Sequence, residues 1–195
     1  MDQGSLFELA SEPAPPPTTK GMVVAATDGS CDPNPGPAAG AWYVSPQCWG
    51  AEAVAGLGTN NIGELVGIRA LLQAAPADQP LEIVYDSQYA HDCLNVWIRS
   101  WSKGFRLPPE QWRRGPQKEP VKNAALIGET HLLTRGRSLV WTKAKAHVTV
   151  DLGGHLLNAE VDLKAGDVVR ALKARATPDL GPGWTLRDAT SGLTA

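Results

Sequence analysis

Residues 22–37 read Met22-Val-Val-Ala-Ala-Thr-Asp-Gly-Ser-Cys-Asp-Pro-Asn-Pro-Gly-Pro37, an apolar run followed by residues that break regular structure. The apolar run predicts a buried strand that ends at Asp28, because Gly29 and Ser30 interrupt it. The proline-rich part predicts a turn. The stretch therefore places a carboxylate at the end of a buried strand, where α/β proteins commonly hold functional side chains.

The segments that follow this turn carry further strand and helix patterns. We predict strands over Ala41–Val44, Ala51–Leu57, Leu81–Asp86 and Ser138–Trp141, and helices from Asn60 or Asn61 to Ala75, from a Ser87 cap to Trp101, over Val121–Thr134 and over Asn158–Lys173. Residues 102–120, rich in Gly and Pro, predict an irregular excursion. The order β-β-β-α-β-α-α-β-α indicates an α/β fold with a five-stranded mixed sheet flanked by helices.

Both ends of the chain differ in composition from this core. Residues 1–21 include three consecutive prolines in a polar stretch, and residues 174–195 mix Pro, Gly, Asp and Thr without an apolar period. Such compositions favour unpacked tails. We therefore expect one domain over 22–173 with a tail on each side.

Charge and cysteine content exclude several classes of protein. The 195 residues carry 18 Lys plus Arg against 20 Asp plus Glu, so any nucleic-acid binding must rest on locally concentrated charge. The three cysteines form no CxxC pair, which disfavours a zinc site or a disulfide framework and suits a reducing cytoplasm. The apolar run over 22–26 is too short to span a membrane, and no basic segment typical of a secretory signal precedes it.

Four carboxylates stand where this fold would collect functional groups. Asp28 and Asp86 end predicted strands, Glu64 lies in the first turn of the first helix, and Asp162 lies in the first turns of the last helix. Carboxylate oxygens suit Mg²⁺, which keeps several waters and needs few protein ligands. By position alone, each acid could equally be a helix cap or a solvated turn residue.

Five segments, in order, resemble the bacterial type 1 ribonuclease H family. They are Thr27–Pro37, Thr59-Asn-Asn-Ile-Gly-Glu-Leu65, Tyr85-Asp-Ser-Gln-Tyr89, Pro120-Val-Lys-Asn123 and Gly154-His-Leu-Leu-Asn-Ala-Glu-Val-Asp162. The resemblance covers residues 22–173 and implies the ribonuclease H-like fold. It also implies that Asp28, Glu64, Asp86 and Asp162 are catalytic carboxylates that bind two Mg²⁺ ions, or Mn²⁺ in their place.

The same resemblance implies substrate contacts. Asn34, Asn60 and Gln88 match positions that contact the minor groove of the hybrid, and Thr59 and Asn123 are further candidates. Short amides on rigid backbone suit recognition of the 2′-hydroxyl, which distinguishes RNA from DNA. Pro33 and Pro35 stiffen the turn that carries Asn34.

The catalytic histidine is the main departure from the family pattern. Counted forward from Trp141 without a gap, the family histidine falls on Lys145, and counted back from Asp162 it falls on Leu152. An insertion would bring His147 into the role, which is the assignment we adopt. His155, or no histidine at all, are the alternatives. Ala159, where the family commonly has glutamate, and Ile62 are lesser departures.

Residues 99–122 concentrate positive charge. They contain seven basic residues and two acidic ones, a net +5. The segment matches the basic protrusion with which the family grips the DNA strand, so Arg113, Arg114, Lys118, Trp97 and Trp101 are predicted to bind substrate. A solvated loop with tryptophans packed on the core is the alternative.

Gln3-Gly-Ser-Leu-Phe7, in the N-terminal tail, resembles the short peptide with which bacterial replication proteins bind the sliding clamp, although Gly4 replaces the usual leucine. Gln3, Leu6 and Phe7 would make the contacts, and residues 13–17 would serve as a spacer. A leader without a partner is the alternative.

These features together predict an enzyme: a monomeric, cytoplasmic endonuclease that hydrolyses the RNA strand of RNA–DNA hybrids. Its products would carry 5′-phosphate and 3′-hydroxyl ends, and its roles would be the removal of primers and R-loops in DNA replication. A non-catalytic hybrid-binding module and another nuclease of the same fold are the alternatives.

Overall fold

In this computed structural model, which describes residues 21–144 and 156–186, one mixed sheet carries helices on both faces. In chain order the elements are β1 (Val23–Cys31), β2 (Ala38–Ser45), β3 (Cys48–Ala53), α1 (Asn60–Ala74), β4 (Leu81–Tyr85), α2 (Gln88–His91), a π-helical segment (Asp92–Trp97), α3 (Ile98–Trp101), a 3-10 turn (Pro109–Gln111), β5 (Arg113–Arg114), β6 (Glu119–Pro120), α4 (Ala124–Thr134), β7 (Leu139–Lys143) and α5 (Leu156–Lys173).

The main sheet has the order β3-β2-β1-β4-β7. Its first three strands are antiparallel neighbours, whereas β1, β4 and β7 run parallel. The prediction of a five-stranded mixed sheet is confirmed. The parallel pairing of β1 with β4 brings the carboxyl ends of these two strands to the same edge of the sheet.

Alternating residues of the strands fill a separate core on each face. Ala25 packs with residues of α1, while its neighbour Ala26 packs with Val161 and Ala165 of α5. Successive strand residues point to opposite faces, so one apolar run supplies both layers. None of the helices among the described residues has both the length and the apolar character needed to cross a membrane.

Helix ends match some predictions and correct others. Ser87 caps α2 as predicted, since its Oγ accepts a hydrogen bond from the Ala90 N–H (3.2 Å). The prediction that Asn60 or Asn61 caps α1 is wrong. Thr59 is the cap, because it is extended and its Oγ1 accepts from the Ile62 N–H (3.3 Å), and Asn60 is already helical.

The helical stretch over 88–101 has a wider, π-helical middle, and α4 begins only at Ala124. Asn123 precedes α4 in the left-handed conformation (φ 58°), so the helix predicted from Val121 starts three residues late.

The basic excursion, residues 102–120, is attached to the core by a buried side chain. We call these residues the protrusion. Trp112 is fully buried, and its indole N–H donates to the Leu107 carbonyl (2.7 Å). A Cβ added to Gly128 of α4 would lie 2.7 Å from Pro109, so this glycine leaves room for the protrusion to seat. Beyond Trp112, β5 and β6 form a short ribbon that was not predicted from the sequence.

Part of the segment expected as a C-terminal tail lies against the sheet. The Ala51 N–H donates to the Leu180 carbonyl and the Gly183 N–H to the Trp49 carbonyl, both at 3.0 Å. The Trp184 ring lies 5.9 Å from that of Trp42. We call residues 177–186 the C-terminal strap. It follows the outer edge of β3.

Candidate active site

Helix α1 lies in direct backbone contact with β1 and β2. A Cβ on Gly29 would fall 2.1 Å from the Glu64 nitrogen, and one on Gly63 would fall 2.6 Å from the Ala39 oxygen. Neither position has room for any other residue. These glycines allow Glu64 to approach Asp28, which precedes Gly29 in β1.

Three carboxylates converge at this contact. Asp28 and Asp86 lie two residues beyond the parallel pair Ala26 and Val84, and Glu64 faces them from α1. Their ligand oxygens all lie within 4.8 Å of one another. We call these three residues the carboxylate cluster. Glu64 is the fifth residue of α1, so its predicted place in the first turn is corrected to the second turn.

The fourth predicted acid, Asp162, reaches the cluster from α5. Its charge lies close enough to raise the pKa of both Asp28 and Glu64, although Asp162 is itself exposed. The structure therefore brings all four predicted acids to one end of the sheet. Their catalytic and metal-binding roles stay predictions.

Burial dominates the electrostatics of the cluster. Desolvation, then the charge of Asp86, raises the pKa of Asp28 from 3.8 to about 8, despite a hydrogen bond from the Gly29 N–H. Desolvation, then the charge of Asp28, raises the pKa of Glu64 well above its usual range. Without a cation, the cluster therefore retains protons that isolated carboxyls would lose.

These donors suit a divalent cation. Carboxylate oxygens are hard ligands, and Asp28 is only 4% exposed. The principal causes of the pKa shifts of Asp28 and Glu64 are burial and the neighbouring carboxylates. A cation bound between the carboxylates would supply the missing positive charge and favour their ionised forms.

The residues predicted to contact the hybrid lie in the turn after β1 and at the starts of α1 and α2. Asn34, Asn60 and Gln88 are exposed. The loops of Asn34 and Asn60 are joined by reciprocal backbone hydrogen bonds between Gly36 and Gly58 (3.1 and 2.7 Å). Asn34 and Asn60 therefore stand on one connected support.

Other predicted contacts already have partners within the protein. Thr59 caps α1, and the Asn123 amide donates to the Tyr89 hydroxyl (3.1 Å). The Arg113 guanidinium donates to the carbonyls of Glu110 and Trp112, both at 2.9 Å. These side chains would have to contact substrate through their remaining donors.

The remaining protrusion candidates are exposed or partly exposed. Arg114 pairs with Glu119 across the ribbon (3.3 Å), and Lys118 is exposed. Trp97 is 39% exposed, and its ring lies 5.5 Å from that of Trp101. The two tryptophans form an aromatic pair just before the protrusion in the chain.

The loop histidine lies outside the described residues. This holds for His147, for the alternative His155 and for the aligned positions Lys145 and Leu152. It holds equally for Gln3, Leu6 and Phe7 of the N-terminal peptide.

One polar contact at this edge was not predicted from the sequence. Lys143, the last residue of β7, donates to the Gln88 side chain (2.5 Å). Lys143 lies two residues beyond the predicted end of this strand, and a lysine near a strand end is too common a feature to mark it in advance.

Sequence comparisons show extensive similarity to one family. The family model described as RNase H matches residues 20–170. Ribonuclease H of Tropheryma whipplei (strain Twist) is 36% identical over 172 residues, which cover 88% of this chain and 99% of that protein. Ribonuclease H of Zymomonas mobilis is 34% identical over 155 residues, which cover 77% of this chain and 90% of that protein.

Solved structures share the fold. LC9-RNase H1, described as a type 1 RNase H with the type 2 active-site motif, superposes with a TM-score of 0.60 at 20% identity, covering 93% of this chain and 81% of that one. RNase H1 from the halophilic archaeon Halobacterium salinarum superposes with a TM-score of 0.52 at 22% identity, covering 79% of this chain and 99% of that one.

Proposed function

Since the chain belongs to the RNase H family, we propose that it hydrolyses the RNA strand of RNA–DNA hybrids at the carboxylate cluster. The observation that carries the proposal is the convergence of Asp28, Glu64 and Asp86 within 4.8 Å. A module that only bound nucleic acid would gain nothing from three carboxylates placed beside phosphates. The proposed products carry 5′-phosphate and 3′-hydroxyl ends.

In this proposal Asp28, Glu64, Asp86 and Asp162 hold two Mg²⁺ ions, or Mn²⁺. When bound, such ions supply charge neutralisation at the phosphate and assistance to the attacking water and the leaving oxygen. Buried Asp28, held by the Gly29 N–H (2.7 Å), is a rigid ligand, while exposed Asp162 can adjust. His147 is proposed to move protons or to assist product release.

Substrate selection is proposed to depend on two surfaces. Asn34, Asn60 and Gln88 would contact the minor groove near the 2′-hydroxyls. Arg113, Arg114 and Lys118 of the protrusion, with Trp97 and Trp101, would hold the DNA strand. Thr59 and Asn123 would contribute through donors and acceptors that their structural hydrogen bonds leave free.

The decisive experiment compares matched RNA–DNA, RNA–RNA and DNA–DNA duplexes labelled on each strand. We expect Mg²⁺-dependent cutting of the RNA in the hybrid alone. Asp86→Asn should abolish cutting but leave folding and hybrid binding largely intact, because the side chain is partly exposed and its replacement is nearly isosteric.

The exposed Asp167 on α5 supplies a matched control. Asp167→Asn removes a carboxylate without touching the cluster and should leave turnover unchanged. Near-normal turnover in Asp86→Asn would contradict the metal assignment. Hybrid binding without cleavage would favour a binding module, and cleavage of a DNA duplex would favour another nuclease of this fold.

We further propose that the N-terminal peptide binds the sliding clamp through Gln3, Leu6 and Phe7, which would bring the enzyme to primers and R-loops at replicating DNA in the cytoplasm. Tethering would raise its local concentration there. A peptide of residues 1–12 should bind the host clamp, and a Leu6→Ala, Phe7→Ala version should not. Equal binding by both, or none by the intact peptide, would end this proposal without affecting the nuclease assignment.

A further inference from the structure

Gln88 begins α2 immediately beyond Asp86 and Ser87, so its backbone is held close to the carboxylate cluster. The Ser87 cap fixes the start of the helix through its hydrogen bond with the Ala90 N–H (3.2 Å). The Gln88 side chain itself is exposed. An exposed glutamine amide would ordinarily rotate freely and present either end to a ligand.

In this structure both ends of the amide are occupied. The Lys143 ammonium donates to Gln88 Oε1 (2.5 Å), and Gln88 Nε2 donates to Asp92 Oδ1 (2.6 Å). We call these three side chains the Lys143–Gln88–Asp92 chain. A reversed amide would set its N–H groups against an ammonium and its oxygen against a carboxylate. The two opposite charges therefore select one orientation.

Lys143 and Asp92 are each positioned by contacts with the central sheet. Lys143 ends β7, opposite Tyr85 of β4 in the parallel register. Asp92 also contacts His91 Nδ1 (3.2 Å). The His91 ring stacks on Tyr85, with ring centres 5.0 Å apart and planes inclined by 5°.

Trp141 packs edge-on against both of those rings, at 6.0 Å from Tyr85 and 6.2 Å from His91. Aromatic contacts of this kind limit the movement of the side chains that make them. The Lys143–Gln88–Asp92 chain thus rests on packed aromatic residues from β4, α2 and β7.

We propose that Lys143 and Asp92 are positioning residues that hold the Gln88 amide in one orientation toward the RNA–DNA hybrid. The held amide keeps one free N–H and one free carbonyl lone pair. Those groups match a base-edge acceptor and a 2′-hydroxyl in the minor groove. The inference rests on the proposed function, because it assumes that Gln88 contacts substrate.

The first test observes the amide directly, without substrate. In ¹⁵N-labelled protein, the Gln88 side-chain NH₂ resonances should lie away from those of a solvated glutamine. Lys143→Ala and Asp92→Ala should each move them toward the solvated position, and Lys143→Arg, which keeps a cationic donor, should largely preserve them. Resonances unchanged by both alanine variants would overturn the inference.

The second test is a double-mutant cycle on hybrid cleavage. Lys143→Ala should raise KM about two- to fivefold, the range for an exposed charged pair, with little change in kcat. The same substitution in a Gln88→Ala background should have almost no effect on KM. Lys164→Ala is the control for loss of one charge, because Lys164 lies over the Trp49 ring and belongs to α5.

Equal effects of Lys143→Ala in both backgrounds would overturn the inference. If Lys143→Ala also made the slope of log binding constant against log salt concentration smaller by about 0.9, Lys143 would instead contact a phosphate directly. An unchanged KM in Gln88→Ala would also overturn it. If the wild type still cleaved the hybrid and Asp86→Asn did not, the proposed function would stand. Failure of this inference can therefore be distinguished from failure of the proposed function.

Discussion

At the scale of single residues, the balance between burial and charge governs the site. Asp28 is 4% exposed and faces two other carboxylates within 4.8 Å. Burial and the charge of Asp86 raise its pKa more than the hydrogen bond from the Gly29 N–H lowers it. The protein therefore maintains a cluster that is costly to ionise alone and well suited to a divalent ion.

This balance predicts how the stability of the metal-free protein depends on pH. The folded state keeps the Asp28 proton up to about pH 8, whereas the unfolded chain loses it near 3.8. The folded state thus binds more protons between those values. Its free energy of unfolding should fall as pH rises through this window, by up to ~1.4 kcal/mol per pH unit for one proton.

Denaturant melts in EDTA from pH 4 to 9 would measure this slope. Asp28→Asn should flatten it and should raise stability at pH 8, because the amide needs no ionisation. Asp167→Asn, which alters an exposed carboxylate, should leave the slope as in wild type. A slope unaffected by Asp28→Asn would show that Asp28 does not carry the proton.

At the scale of secondary structure elements, the protrusion is an exposed segment that one buried tryptophan attaches to the core. Trp112 is buried, and Gly128 of α4 leaves space for Pro109. Its basic residues project from this anchor as exposed side chains. Trp112 packs into the core, whereas Lys118 and the remaining donors of Arg113 and Arg114 face solvent.

Neutralising Arg113, Arg114 and Lys118 together should therefore raise KM far more than it lowers kcat. These groups would hold phosphates equally in the ground and transition states. The slope of log binding constant against log salt concentration for the hybrid should become smaller in magnitude. The change should be up to about 0.9 for each phosphate that the variant no longer neutralises. Neutralising Lys164, Arg170 and Arg175, in α5 or just beyond it, makes the same change in net charge and should have a much smaller effect. Equal effects of the two triple variants would indicate only long-range electrostatics.

Across the whole molecule, the C-terminal strap covers the β3 edge of the sheet. It hydrogen-bonds to Trp49 and Ala51 and places Trp184 against Trp42. Gly181 allows this approach, since a Cβ there would lie 2.6 Å from the Trp49 oxygen. Covering an edge strand removes a surface on which other chains could add strands.

Trp184→Ala should lower the free energy of unfolding by about 1–2 kcal/mol, because it removes an aromatic pair and the apolar area that the ring buries. Its kcat should stay unchanged, because the strap contacts β3 and Trp42 of β2 and not the carboxylate cluster. Leu186→Ala, at an exposed position in the same strap, is the control and should change stability by less than about 0.5 kcal/mol. Equal stability of the two variants would show that the strap adds little to the fold.

The sequence by itself determined the order and type of the main elements. Strands and helices follow from periodicity and caps among neighbours, as in the apolar run of β1 and the Ser87 cap of α2. The predicted end of the first strand at Asp28 was wrong, because β1 continues through Gly29 and Ser30 to Cys31. Local patterns were less able to mark exact ends: Thr59 replaced the predicted cap, and the left-handed Asn123 delayed α4. Side-chain geometry at one or two residues decides such boundaries.

Only the tertiary structure decided which distant residues meet. Glu64 reaches Asp28 because Gly29 and Gly63 permit backbone contact between β1 and α1. Lys143 reaches Gln88 across 55 residues because β4 and β7 pair in parallel. The strap, expected as a tail from composition, packs on β3 through backbone hydrogen bonds and places Trp184 against Trp42. Contacts of this kind depend on the packing of the whole chain, and no local pattern of residues encodes them.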